Sequence, residues 1–237
     1  MKILLTGGAS GLGKVITEAI GITNNKVIIT YCNSKDVAHD LKNEFGIELI
    51  QCDYSSPESI ENLISKIYDY NIDVLINNAF TGFKKQYFHK LSEGDFSDSF
   101  KNDILPVLKI TQNAIKVFRK KKYGKIINIL SSAIINRPPI GWSAYIAGKS
   151  YLLSMNKSWA VENAKFNITS NAISPSFMDT DMNKGLDSRI LENMINAHPL
   201  KKLLNPEEVA KSVKYLIDSS QHINGANLII NSAENVI

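Results

Sequence analysis

The chain has 237 residues, 44% of them hydrophobic and 21% charged, with a net charge of +4. That length suits one α/β domain with a large core, though two small domains also fit it, and the balance is that of a soluble globular protein. The charge is too mild to argue for nucleic acid: the basic run Arg119–Lys122 reads as the cationic end of a helix, with no interleaved aromatic platform. No apolar run reaches the length of a membrane span or a signal peptide, so a cytoplasmic protein without membrane association is expected. His39, His89, His198 and His222 are scattered and show no metal-ligand spacing. Cys32 and Cys52 fall near the ends of predicted strands, and small, partly buried thiols are expected there rather than a disulfide.

In chain order, short β-like runs alternate with longer amphipathic segments. Lys2–Leu5 reads as a strand and Gly11–Ile22 as a helix, then Lys26–Tyr31 as a strand and Asp36–Phe45 as a helix. A third strand, Glu48–Cys52, precedes a helix opened by the capping Ser56, Pro57 and Glu58 and running to about Tyr70. Asp73–Ile76 and Lys125–Leu130 are the fourth and fifth strands, separated by a long helical region, about Ser92–Lys122. A second long helix spans Ser143–Asn163, with Ser143 as its candidate cap. Asn167–Ile173 is a strand, Pro206–Asp218 a helix and Ala226–Ile230 a last strand. Phe80–Lys90, Asn136–Trp142 and Ser174–Pro199 are expected to be irregular. The alternation predicts a parallel sheet covered on both faces, and continuous apolar runs such as Val74-Leu75-Ile76 are what buried parallel strands require. In such sheets ligands bind beyond the carboxyl ends of the strands.

Three residues carry the chemistry. Tyr145 and Lys149 form a Tyr-x-x-x-Lys pair, and Ser132 lies thirteen positions before the tyrosine. On a helix, a spacing of four puts both side chains on one face. An ammonium beside a phenol pulls its pKa, about 10 when free, towards neutrality. Such a phenol can exchange a proton with a carbinol or carbonyl oxygen, which the serine hydroxyl can also hydrogen-bond. The pair alone means little, because Tyr31 and Lys35 repeat it; thirteen positions before Tyr31 stands Glu18, which cannot play the serine's part. After the first strand, Thr6-Gly7-Gly8-Ala9-Ser10-Gly11-Leu12-Gly13 leads into a helix. Glycines there let the backbone approach a pyrophosphate, and the helix N-terminus favours its charge.

Thr-Gly-x-x-x-Gly-x-Gly at 6–13, Asn77-Asn78-Ala79, and Ser132 with Tyr145-x-x-x-Lys149 together resemble the short-chain dehydrogenase/reductase family. Asn171-Ala172-Ile173-Ser174-Pro175, Thr180-Asp181-Met182 and Pro206-Glu207-Glu208-Val209-Ala210 echo it further, so the resemblance covers essentially the whole chain. The glycine spacing differs from that of extended relatives such as sugar-nucleotide epimerases, and the Tyr–Lys spacing from that of enoyl reductases. The resemblance implies one Rossmann-type, doubly wound parallel sheet of about seven strands, binding a dinucleotide through about residues 1–130 and carrying catalysis in 131–237. It implies Tyr145 as general acid/base, Lys149 as its pKa modifier and ribose ligand, Ser132 as the polarising hydroxyl, and Asn102 as the asparagine that holds a relay water. Gly7, Ser10, Gly11, Leu12 and Gly13 would line the pyrophosphate, Asp53 and Tyr54 the adenine, Asn78 and Ala79 the ribose, and Met178 and Thr180 the nicotinamide end.

Cofactor preference is set after the second strand, at Tyr31-Cys32-Asn33-Ser34-Lys35, which has no acid at the strand's end. That absence removes the main NAD determinant, and Asn33, Ser34 and Lys35 could accept a 2′-phosphate, so NADP(H) is expected over NAD(H). Among departures from the family pattern, Phe80 stands where a glycine is usual, and Ser176 follows Pro175 in place of another. The overall pattern is closest to 3-oxoacyl-carrier-protein reductases, with sugar, polyol or nucleotide-sugar substrates as alternatives and a non-catalytic dinucleotide-binding regulator as the reading of another class. The stretch 182–199 is expected to form a substrate lid, and the long helices to pair in a homo-oligomer, a dimer or tetramer.

Overall fold

All seven strands run parallel, in the order β3-β2-β1-β4-β5-β6-β7. They are β1 Lys2–Leu5, β2 Lys26–Tyr31, β3 Glu48–Gln51, β4 Val74–Asn77, β5 Gly124–Ile129, β6 Ile168–Pro175 and β7 Asn227–Ile230. The computed structural model describes residues 1–135, 137–178, 188–234 and 236. The chain works outward from β1 to β3, then returns to build the other half from β4, so the order reverses between β1 and β4. The crevice above that reversal is where an open α/β sheet binds its ligand.

Strand alternation divides the apolar residues between two cores. Ile3, Leu5, Ile29, Ile76 and Ile127 face helices α1 (Gly11–Gly21), α2 (Lys35–Phe45) and α8 (Pro206–Asp218). Leu4, Ile28, Leu75 and Ile126 face α3 (Pro57–Tyr70), α5 (Leu105–Lys121) and α6 (Ser143–Asn163). Ser56 caps α3, its hydroxyl accepting from the Ser59 N–H with Pro57 in the first turn. Lys122, in the left-handed conformation, ends α5 after Arg119, Lys120 and Lys121, as the macrodipole favours.

Four expectations are corrected. Trp142, not Ser143, holds the cap position of α6, and Ser143 is its first helical residue. Strand β6 extends two residues past Ile173, through Pro175. The stretch expected to be irregular contains α7 (Ser188–Ala197), while 179–187, including most of the expected lid's start, lies outside the described residues. The long region after Ser92 is not one uniform helix: α4 (Glu93–Ser99) passes through a wider π-helical turn, Phe100–Ile104, into α5. Pro106 has no N–H to give to the carbonyl four residues back, and the Leu105 N–H instead donates to Phe100, five back. Among the described residues no helix is long and apolar enough to cross a membrane.

Candidate active site

The glycine loop is built from the sheet upward. The Gly7 N–H donates to Thr30 Oγ1 and the Gly8 N–H to the Thr30 carbonyl. Thr6 Oγ1 accepts from the N–H groups of Asn78 and Ala79, each at 3.0 Å, and Asn78 Nδ2 donates back to the carbonyls of Thr6 and Gly7. Asn78 therefore fixes the loop itself. Gly7 and Gly11 have positive φ, and a Cβ on Gly13 would sit 1.9 Å from the Gly7 carbonyl oxygen. Ser10 holds the cap position of α1 without a side-chain cap, and no acid lies in the first turn. The N-terminal N–H groups at Gly11, Leu12 and Gly13 thus keep their positive end for an anion, which fits a dinucleotide pyrophosphate.

At the adenosine side, Asn33 is exposed and Ser34 caps α2 without using its hydroxyl. Both fit a ribose phosphate. Asp53 is exposed, its carboxylate held below the usual range by Ser55 hydrogen bonds. The Tyr54 side chain packs in the core, and burial raises its phenol pKa. Tyr31 likewise packs in the opposite core. Cys32 is exposed, Cys52 is buried, and both are free thiols one residue past the ends of the paired strands β2 and β3. Met178 bridges to Leu204 beside the first core; Thr180 lies outside the described residues.

On α6, Tyr145 and Lys149 share a face over a narrow cleft that Asn77, Phe80, Asp103 and Asn128 also line. Lys149 Nζ donates to the Ile129 carbonyl at 3.0 Å and lies 5.9 Å from the Tyr145 ring centroid. Burial lowers Lys149 to about 8, with the Asp103 carboxylate opposing the shift. Burial raises the Tyr145 phenol, and a Ser131 hydrogen bond partly offsets it. The floor is a chain of buried amides and hydroxyls: Asn77 Nδ2 donates to Thr111 and Asn128, Asn128 Nδ2 donates to Asn156, and Ser170 donates to Asn156. Asn156 lies two turns along α6 from Lys149, so this network anchors the helix that carries the pair.

Two sequence neighbours of the expected residues also reach the site. The Ser131 hydroxyl acts on the Tyr145 phenol, lowering its pKa, and Ser132 is buried at the start of a 3-10 turn. The helix residue that reaches the Tyr–Lys cleft is the buried Asp103, and Asn102 lines a neighbouring outer cleft. A signal for Asp103 was available: it stands four before Val107 and seven before Ile110, on the buried stripe of the helix. Sequence reasoning also missed Phe83 and Trp142, which crowd Tyr145 together with Phe80. A half-buried phenol with a serine and a lysine, beside a glycine loop open to an anion, can pass a proton to or from an oxygen whose carbon exchanges hydride with a nicotinamide.

A family model described as enoyl-(acyl carrier protein) reductase matches residues 7–232. The chain is 31% identical to 3-oxoacyl-acyl-carrier-protein reductase FabG of Aquifex aeolicus, over 96% of this chain and 94% of that protein. It is 32% identical to acetoacetyl-CoA reductase of Shinella zoogloeoides, over 98% and 97%. Its fold superposes on a putative gluconate dehydrogenase from Agrobacterium tumefaciens with a TM-score of 0.89, at 24% identity over 100% and 96% of the two chains. With that site and these relatives, the chain belongs to the short-chain dehydrogenase/reductase family and is an NAD(P)-dependent oxidoreductase.

Proposed function

We propose that this chain reduces the ketone of a 3-oxoacyl thioester to the 3-hydroxyacyl form, preferring NADPH. The observation that carries the reading is Tyr145 and Lys149 lining one cleft from the same face of α6. Both curated relatives above act, by name, on such acyl groups. The family model's description names an enoyl reductase, but the three-residue gap between Tyr145 and Lys149 favours carbonyl chemistry. Asn33 and the unused Ser34 hydroxyl support a 2′-phosphate. The exposed Phe100, Leu105 and Tyr151 on the long helices support pairing of two or more copies, and solvent-facing Lys and Glu elsewhere suit the cytoplasm.

When bound, the nicotinamide supplies the hydride to the ketone carbon. Tyr145 gives its proton to the ketone oxygen as negative charge develops there. The Ser131 hydroxyl donates a hydrogen bond to the same oxygen and holds the phenol in line. The Lys149 ammonium stabilises the phenolate that remains, until solvent returns the proton.

The test is NADPH consumption with acetoacetyl-CoA, with crotonyl-CoA as the enoyl control and gluconate with NADP as the polyol control. Turnover of acetoacetyl-CoA, falling by about 10²–10⁴ in Tyr145→Phe with cofactor binding retained, supports the proposal. Turnover of crotonyl-CoA or gluconate alone, or no difference between wild type and Tyr145→Phe, overturns it.

A further inference from the structure

We propose that Asp103 is a positioning residue of the proton-handling site, clasping the Phe80 turn through Thr81 and supplying the counter-charge that keeps Lys149 an ammonium beside Tyr145. The inference rests on the Tyr145–Lys149 pair working as proposed above, but not on which ketone it reduces.

Asp103 Oδ1 accepts both the Thr81 N–H, at 2.8 Å, and the Thr81 hydroxyl, at 2.7 Å. Thr81 follows Phe80, whose ring lies 5.1 Å from Lys149 Nζ and 5.3 Å, edge-on, from the Tyr145 ring. One carboxylate oxygen thus ties the aromatic cover of the site to the helical region. The wide turn at Phe100–Ile104 aims this residue inward, where Asp103 is 5% exposed among Ile104, Val107 and Leu152. An ionised carboxylate in such surroundings needs a cation. Lys149, 8% exposed, is the cation in the same cleft, acting across space without a direct ion pair.

Other charges do not replace it. Tyr54, from the turn after β3, feels Asp103 only as a charge that raises its phenol. In the outer cleft Lys84 pairs with Asp95 at 3.2 Å, and Asp98 is exposed. Tyr145 faces Ser131.

The experiment titrates Lys149 by NMR in uniformly labelled protein and records the pH profile of kcat/KM on whichever carbonyl substrate is turned over. Asp103→Asn keeps an acceptor for both Thr81 donors and removes the charge. Its Lys149 titration and the alkaline limb of the rate should both move down by about one pH unit. Thr81→Val keeps the charge and loosens the clasp; it should leave the Lys149 titration in place while raising KM several-fold. Lys149→Met tests the coupling from the other side and should raise the Asp103 titration, read at its carboxyl carbon. An unmoved Lys149 in Asp103→Asn, or an unmoved Asp103 in Lys149→Met, overturns the proposal even if ketone reduction is confirmed. A shifted titration with no reductase activity would instead sink the functional reading.

Discussion

The ring of Phe83 is stacked on the ring of Tyr145, with centroids 4.8 Å apart and planes 28° from parallel. Trp142 stands edge-on to both, at 4.8 Å from Phe83 and 5.4 Å from Tyr145. Phe83 and Trp142 come from segments expected to be plain loops, yet they narrow the approach to the phenol. Phe83→Ala should raise kcat/KM for long or branched acyl substrates several-fold relative to acetoacetyl-CoA. It should also lose about 1 kcal/mol of stability as the stacked pair is broken. Substrate-length series and thermal melts decide this; unchanged length preference would show that Phe83 does not limit access.

The pH dependence follows from Lys149. Burial lowers it to about 8, so the ammonium is present below that pH and is lost above it. Ketone reduction should therefore be flat near neutrality and decline as pH rises through about 8. Phe80→Gly would let water reach Nζ, weaken the desolvation and move the decline to higher pH, towards the ordinary lysine value of about 10.4. A decline that stays in place would assign the alkaline limb to another group.

Ser131 and Ser132 can be separated by single substitutions. Ser131→Ala removes the hydroxyl bonded to Tyr145 and should reduce kcat by about 10²-fold or more, with little change in melting temperature. Ser132→Ala alters a buried residue in the turn and should chiefly affect stability. The reverse pattern in kcat would return the polarising role to Ser132.

The glycine loop has no room for a methyl group at Gly13, where a Cβ would lie 1.9 Å from the Gly7 oxygen and 2.7 Å from Asn78 Nδ2. Gly13→Ala should push the loop from the α1 N-terminus and weaken NADPH binding more than tenfold. Calorimetric titration checks this. Gly46→Ala serves as a control: its Cβ meets nothing within 4 Å, and although its φ of +65 adds strain, it ends α2 with its N–H on the Lys42 carbonyl. It should therefore cost stability while leaving cofactor affinity unchanged.

What the sequence determined by itself was whatever depends on local periodicity. Short continuous apolar runs marked β1 and β2 to the residue, and helical spacing placed Ser143–Asn163 and set Tyr145 and Lys149 on one face. The glycines at 7, 11 and 13 likewise announced a phosphate loop, because few other sequences leave a helix N-terminus so open. Tertiary structure decided which neighbours meet that face. Asp103 falls on the buried stripe of Val107 and Ile110 and reaches the Tyr–Lys cleft, while Asn102 lines the outer one. Past the end of β5 the chain enters a 3-10 turn capped by Ser131, and that turn buries Ser132. Tyr54 follows a strand whose last residues look the same from either side, and only packing against the core decided that it turns inward. Residue spacing along the chain fixes which side chains an element presents; which of them share a cleft is settled by where other elements press upon it.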